Sequence, residues 1–138
     1  GKDVSDHIRR EEIGTKASDL AHNQQIRNLI KATQRSFYDP NIGLIADGRD
    51  MGSVVFPAAR IKVYLDASIE ERAKRRQIQL KEKGLKVNMP NLISSLQERD
   101  LKDKNRKVSP LLVPVGAKVI DSTNLSIDEV VKTIIEFI

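Results

Sequence analysis

An apolar run at residues 43–47 has three charged side chains at its end or just after it. In the stretch IADGRDMG, Asp47 directly precedes Gly48, and Arg49 and Asp50 lie between Gly48 and Gly52. Charges at the end of a buried strand are unfavourable unless a partner or a ligand compensates them. A hydrophobic strand that ends in Asp is also the arrangement that helps to hold Mg²⁺ on a nucleotide. A capped turn is the alternative, because Asp is common where strands end in turns.

A second group of charges lies in the stretch LQERDLKDKNRKVSP. On a helix, Arg99, Asp103 and Arg106 recur at i, i+4 and i+7 and share one face. Two guanidinium groups beside a carboxylate suit a sugar phosphate, because Arg binds phosphate in a forked geometry and Asp accepts hydrogen bonds from ribose hydroxyls. The alternative is a solvated face with i,i+4 ion pairs, for which Asp100 and Lys104 are correctly spaced.

A third group is the basic stretch EERAKRR. Arg72, Arg75 and Arg76 lie in the first turns of a predicted helix, where the dipole disfavours positive charge. Their placement therefore does not serve helix stability. They are suited to stabilise the charge of a transferring phosphoryl group, and the alternative is an exposed basic face.

Helices and short apolar strands alternate along the chain and must position these groups. The periodicity and the capping signals predict helices at about 5–13, 24–38, 69–84 and 91–104, with a last one after Ser126. Strands are predicted at about 43–47, 61–66 and 118–121. This order predicts an open parallel α/β sheet that is incomplete at its N-terminal end, with ligands beyond the carboxyl ends of its strands.

Size and composition limit the class of protein. The chain has 138 residues, 39% of them hydrophobic, which is enough for one domain with a core. Its 24 basic and 19 acidic residues give a net charge of +5, which suits a phosphate-bearing partner without requiring nucleic acid. The absence of Cys excludes disulfides and thiolate metal sites. No apolar run is long enough to predict a membrane span, and no signal peptide opens the chain.

Several segments together resemble the bacterial cytidylate kinases over nearly the whole chain. The shared strings are IADGRDMGSVVFP, KVYLDAS, EERAKRR, LQERDLKDKNRKVSPL and VIDSTNLSIDEV. The resemblance implies a P-loop NTPase-like nucleoside monophosphate kinase core with a three-layer parallel sheet and a helical lid. It also implies that residues 1–138 form a single partial kinase domain. Within it, about 1–40 are the remainder of the monophosphate-binding region, and about 69–107 are the lid and its flanking helices.

The family's reaction is Mg²⁺-dependent transfer of a phosphoryl group from ATP to CMP or dCMP, in pyrimidine nucleotide metabolism. The resemblance implies seven acceptor-binding residues, which are Ser18, Arg27 and Asp50 for cytosine, Arg99 and Asp103 for the sugar, and Arg49 and Arg106 for the phosphate. Asp50 is suited to accept a hydrogen bond from the exocyclic amino group, and Arg27 to donate to the ring acceptors. Uracil would leave these polar groups unpaired.

The same resemblance implies how phosphoryl transfer is assisted. Arg72, Arg75 and Arg76 would belong to the lid that closes over the phosphates and excludes water. Asp47 would support the Mg²⁺ shell indirectly. Positioning and charge neutralisation carry most of this chemistry, so no strong base is needed. The family is expected to be cytoplasmic, and the intact protein to be a monomer.

One feature of the family is missing from the sequence. None of the seven glycines belongs to a glycine-rich phosphate loop ending in Lys, which would bind the ATP phosphates. We therefore expect the 138-residue chain alone to be unable to transfer phosphate. Unpaired sheet edges in such a chain also predict that it associates with itself.

Two other functions stay open on the residues alone. One is a kinase for a different nucleoside monophosphate, because a base readout by two side chains is easily changed. The other is a basic nucleic-acid-binding module, suggested by the excess of basic residues over 70–107. The chain has no Trp, three Phe and two Tyr, too few for a platform that stacks on single strands. We therefore expect no nucleic-acid partner and no membrane partner.

Overall fold

A computed structural model describes residues 3–8 and 11–138 of the chain. Within these ranges the elements are, in order, α1 (Ser5–Ile8), α2 (Glu11–Leu20), α3 (Gln24–Ser36), a π-helical turn (Met51–Val55), β1 (Val63–Asp66), α4 (Ile69–Glu82), α5 (Met89–Asn105), β2 (Lys118–Asp121) and α6 (Ile127–Ile135). The helix predicted at about 5–13 includes residues 9 and 10, which lie outside the described ranges. The described part of it is helical, in α1 and in the first turn of α2.

Side-chain caps start the helices largely where the sequence predicts. The Asn23 side chain accepts hydrogen bonds from the first backbone N–H groups of α3. Ser68 accepts from the Glu71 N–H at 3.2 Å at the start of α4. A reciprocal capping box joins Ser126 and Glu129 at the start of α6. These bonds satisfy N–H groups that have no partner inside the helix, which fixes each first residue.

The described sheet has two parallel strands. Val63 of β1 lies opposite Lys118 of β2, and Asp66 lies opposite Asp121 at the carboxyl ends. The helices α4 and α5 form the crossover between the strands and pack against each other. Both strands therefore end at one edge of the sheet, close to the start of α4.

The predicted strand at 43–47 is wrong. The described structure has no strand there, and Ile45 is fully exposed. No backbone hydrogen bond joins residues 44–48 to a strand in the described part of the chain. An apolar run predicts burial, but a strand also needs a neighbour that pairs with its backbone. The described sheet consequently contains two of the three predicted strands, and a three-layer parallel sheet is not seen.

The core is small and includes polar groups. Val55, Ala73 and Ile120 are buried where the π-helical turn, α4 and β2 meet the rest of the chain. Asp103 and Arg106 are just as deeply buried, at 3% and 7% exposure. Charged side chains are therefore part of the packing and need partners there.

The prediction for α6 needs a correction. The apolar spacing after Ser126 predicts an amphipathic helix that buries Val130, Ile134 and Phe137, whereas all three are half-buried. No residue of α6 is fully buried in the described structure. Among the described residues, α6 included, no helix is both long and apolar enough to cross a membrane.

Candidate functional site

Two ion pairs connect one loop to two helices. Asp50, 8% exposed, pairs with Arg27 of α3. Its neighbour Arg49 pairs with Asp103 of α5. Because Arg49 and Asp50 are adjacent in the loop, this short segment fixes both helices. The cap at Asn23 places Arg27 in the first turn of α3, so that it can reach the loop.

A third charge joins the second pair. Arg106 follows α5 directly, and its Nη1 lies 3.5 Å from Oδ1 of Asp103, with both side chains 4% exposed. Burial is the largest influence on Arg106 and lowers the pKa of its guanidinium, while Asp103 acts in the opposite direction. Asp103 thus compensates two guanidinium groups, the buried one of Arg106 and the partly exposed one of Arg49.

Ser109 links the two ion-paired groups. Its hydroxyl accepts a hydrogen bond from Nε of Arg27 at 2.9 Å, and its carbonyl accepts one from Nε of Arg106 at 2.7 Å. We call the connected set the arginine–aspartate network, which consists of Arg27, Arg49, Asp50, Asp103, Arg106 and Ser109. Three guanidinium groups face two carboxylates in it, so the network has a net positive charge and can attract an anion.

The network borders two cavities. A cavity of about 270 Å³ is lined by Arg27, Asp50 and Ser109, with side chains of α2 and α3. A larger cleft of about 1070 Å³ is lined by Asp47 and Arg49, among others. The consecutive residues Arg49 and Asp50 therefore line different cavities, the larger cleft and the smaller cavity respectively. One ligand with a polar planar end and an anionic end could contact both.

Two of the predicted acceptor residues are not joined to the network by any described contact. Ser18 is half-buried on α2, and its carbonyl lies 3.1 Å from Nδ1 of His22. Arg27 reaches the same end of α2 through the Ala21 carbonyl, at 3.3 Å. Arg99 was predicted to share a helix face with Asp103, but its buried Nε has no hydrogen-bond partner in the described structure.

The three α4 arginines have separate surroundings. Arg72 pairs with Asp100 of α5 at 2.7 Å, and this hydrogen bond is the largest influence that raises the pKa of Arg72. Arg75 pairs with Glu71 and donates to the Ser122 carbonyl at 2.6 Å. Although the two arginines share a helical face, Arg72 contacts α5 and Arg75 contacts the end of β2.

Arg76 of α4 and Asp100 of α5 each have a partner from a different region than their predicted role suggests: Arg76 bonds within its own helix, and Asp100 bonds to α4. Arg76 donates to Gln79 at 3.2 Å on the exposed side of α4. The ion pair expected between Asp100 and Lys104 is wrong, since Asp100 pairs with Arg72 instead. The packing of α4 on α5 brings a guanidinium closer to Asp100 than the local helix does.

Asp47 is exposed at the larger cleft, which Asp66 and Asp100 also line. In the described ranges, no group of three or more His, Cys, Asp or Glu side chains could hold a metal ion. Mg²⁺ in nucleotide sites needs only one or two carboxylates, because phosphates and waters supply its other ligands. A single carboxylate at Asp47 fits that type of site.

Sequence reasoning gave no role to Ser109. Its one visible signal is its place between Arg106 and Pro110 in the shared string LQERDLKDKNRKVSPL. Asp100 was considered only as a partner for Lys104. Both roles depend on contacts between elements, which spacing within one helix does not report.

Comparison with known proteins gives one consistent family. The family model for cytidylate kinase matches residues 1–138. The Cytidylate kinase of Vibrio cholerae serotype O1 is 52% identical over 138 residues, which are 100% of this chain and 61% of that protein. The Cytidylate kinase of Yersinia enterocolitica serotype O:8 is 51% identical over 132 residues, 96% of this chain and 57% of that protein.

The chain thus spans between 57% and 61% of the length of these curated relatives. The family implies the fold of the P-loop nucleoside monophosphate kinases, and the described ranges show a helix-rich α/β part with a two-stranded parallel sheet. The match over every residue and the identity above 50% confirm the predicted resemblance. The chain belongs to the cytidylate kinase family.

Proposed function

We propose that the protein encoded by the complete gene transfers the γ-phosphoryl group of ATP to CMP or dCMP and forms CDP or dCDP. Membership of the cytidylate kinase family supports this activity. The observation that carries it is the pair Arg49–Asp50, whose neighbouring side chains reach two helices and line two cavities. We place the activity in pyrimidine nucleotide metabolism in the cytoplasm, with a monomeric enzyme.

Cytosine is assigned to the smaller cavity, beside Asp50 and Arg27. The Asp50 carboxylate accepts a hydrogen bond from the exocyclic amino group, and Arg27 donates to the ring acceptors. Ser18 would complete this contact from α2. Asp50 and Arg27 pair with each other and both line this cavity, which supports the assignment. Uracil offers a carbonyl where cytosine offers an amino group, which would set two acceptors against each other and remove the hydrogen bond from the base to Asp50.

The sugar and phosphate are assigned to the other side of the network. Arg49 and Arg106 would bind the acceptor phosphate, and Arg49 is accessible to it because its side chain is 41% exposed. Asp103 and Arg99 would bind the sugar. The buried Nε of Arg99, which has no partner among the described residues, is available for a ligand oxygen.

Transfer itself is assigned to the larger cleft. When bound, Mg²⁺ would neutralise charge on the phosphates, and Asp47 would support its ligand shell. The lid and its flanking helices, about 69–107, would bring Arg72, Arg75 and Arg76 towards the phosphates. Arg72 already lines this cleft, whereas the contacts of Arg75 hold it at the end of β2. We therefore assign Arg72 the most direct contact of the three.

The 138 residues supply the acceptor side of this reaction and lack a glycine-rich phosphate loop for ATP. We propose that the chain alone does not transfer phosphate and that it associates with itself. Residues 1–40 would belong to the monophosphate-binding region of the complete kinase domain.

A coupled assay of ADP release tests the proposal. The complete gene product should turn over CMP and dCMP with ATP and Mg²⁺, and the 138-residue chain should show no CMP-dependent turnover. Sedimentation of the chain should show species larger than a monomer. No CMP turnover by the complete product would refute the kinase assignment, and equal turnover of AMP or UMP would refute the base assignment.

The basic module is less well supported. Several basic residues of α4 and α5 pair with acids, as Arg72 does with Asp100 and Lys102 with Glu98. This pairing reduces the positive charge that is free for nucleic acid. Salt-dependent DNA binding together with no response to CMP would reverse this preference.

A further inference from the structure

Ser109 has an unusual backbone conformation at the centre of the network. Its φ is 48°, in the left-handed region that residues other than glycine rarely adopt. It also precedes Pro110, which restricts the backbone of the residue before it. Such a conformation persists only where surrounding contacts hold it, and these sites are often functional.

The contacts that hold Ser109 involve two arginines of the site. Arg27 donates to the Ser109 hydroxyl at 2.9 Å and Arg106 donates to its carbonyl at 2.7 Å. The following turn is tied to α5, because the Leu111 N–H donates to the Asp103 carbonyl at 2.8 Å. Ser109 is thus fixed to elements that are 82 and three residues away in sequence.

Both arginines use the same nitrogen for this contact. The bond to Ser109 is made by Nε, which lies closest to the side-chain stem, while a terminal nitrogen of Arg27 contacts Asp50 and one of Arg106 contacts Asp103. A bond at Nε fixes the plane of the guanidinium group. Ser109 therefore sets the orientation in which each arginine presents its terminal N–H groups.

We propose that Ser109 is a positioning residue that determines the base preference of the site through Arg27. This role rests on the proposed function for the identity of the base. The hydroxyl orients Arg27 towards cytosine, and the carbonyl orients Arg106 towards the acceptor phosphate. Ser109 itself also lines the cavity assigned to cytosine.

Two substitutions separate this role from a purely structural one. Ser109→Gly and Ser109→Ala both remove the hydroxyl and keep the carbonyl. Glycine adopts a left-handed backbone freely, whereas alanine keeps the strain. A structural role predicts that activity follows stability and so differs between the variants. A positioning role predicts the same change of base preference in both, whichever is more stable.

The experiment measures kcat/KM for CMP and UMP on the complete gene product, with ATP and Mg²⁺. Both variants should lower the CMP-over-UMP ratio by about tenfold, mainly through a higher KM for CMP. The Nε–H signal of Arg27 in ¹⁵N NMR should shift in both variants, while that of Arg106 is retained. Ser95→Ala, at an exposed serine of α5, is the matched control and should change neither readout.

The inference is overturned if the ratio and the Arg27 signal stay unchanged, or if only the less stable variant is affected. Its failure differs from failure of the proposed function. If the wild-type product does not phosphorylate CMP, the proposed function fails. The NMR signal alone then decides whether Ser109 positions Arg27. An unchanged Arg27 signal in both variants then overturns the positioning role, and a shift in both supports it.

Discussion

The arginines of the arginine–aspartate network and those of α4 are alike in number and differ in how the fold uses them. Arg27, Arg49 and Arg106 come from distant parts of the sequence and converge on two buried carboxylates and one serine. The α4 arginines come from one helical face and have separate partners, such as Asp100 for Arg72. Periodicity along a helix reports which residues share a face, but shared partners arise from packing between elements. We expect the converging arginines to be coupled and the α4 arginines to act independently.

The largest loss of stability is expected at Asp103, the carboxylate that Arg49 and Arg106 share. Asp103→Asn leaves two guanidinium groups without their charge partner, one of them almost fully buried, and should lower the free energy of unfolding by about 3 kcal/mol. Denaturant unfolding measures this loss. Glu98→Gln is the matched control, because Glu98 forms an exposed i,i+4 pair with Lys102 on the same helix, and it should show no measurable change. Similar losses in both variants would remove the distinction between buried and exposed pairs.

Coupling can be measured directly by two double-mutant cycles. Arg49→Ala and Arg106→Ala share Asp103, so their effects on unfolding should deviate from additivity by about 1 kcal/mol. Arg72→Ala and Arg75→Ala have separate partners and should add within about 0.5 kcal/mol. The comparison between the two groups breaks down if the α4 pair shows the larger interaction energy.

A smaller loss of stability is expected where the π-helical turn lies close to Pro114, in the segment between α5 and β2. A Cβ at Gly52 would lie 2.9 Å from Cγ of Pro114, so Gly52→Ala should destabilise the chain by about 1 kcal/mol and disturb the loop that carries Arg49 and Asp50. Gly14→Ala is the control, because a Cβ there meets no atom within 4 Å and alanine favours the α2 helix. Thermal unfolding should separate them. A stable Gly52→Ala variant would show that the turn can move without cost.

The smallest effect is expected at α6, outside both arginine groups. Backbone and side-chain hydrogen bonds from Ser126 lower the pKa of Glu129. Because the pKa is lower in the folded state, these bonds stabilise α6 fully above the ordinary glutamate pKa. The stabilisation is lost as the pH falls from there through the lower pKa of the folded state. Amide protection factors in α6, which are corrected for the intrinsic exchange rate, should fall on acidification, and Glu129→Gln should remove this pH dependence. An unchanged pH profile in the variant would contradict the assignment.

The sequence predicts local features well because their causes are local. The Asn23 and Ser126 caps mark the starts of α3 and α6, and the Asp103–Arg106 contact follows from helical spacing. The strand at 43–47 was predicted from hydrophobicity, which carries no information on a pairing partner. The joint role of Arg27 and Asp50 came from the family resemblance. Ser109 was missed because a left-handed conformation at a residue other than glycine has no reliable signal in one sequence.

The loop that carries Asp50 is proposed to read cytosine, and the CMP-over-UMP ratio of kcat/KM in the complete gene product tests this role. We expect a wild-type preference for CMP of about 100-fold or more, reduced by about tenfold or more in Asp50→Ala. Asp47→Asn, three residues earlier in the same loop, should lower kcat and leave the ratio unchanged. A wild-type enzyme that treats CMP and UMP alike, or an Asp50→Ala variant that keeps the full preference, would contradict the account.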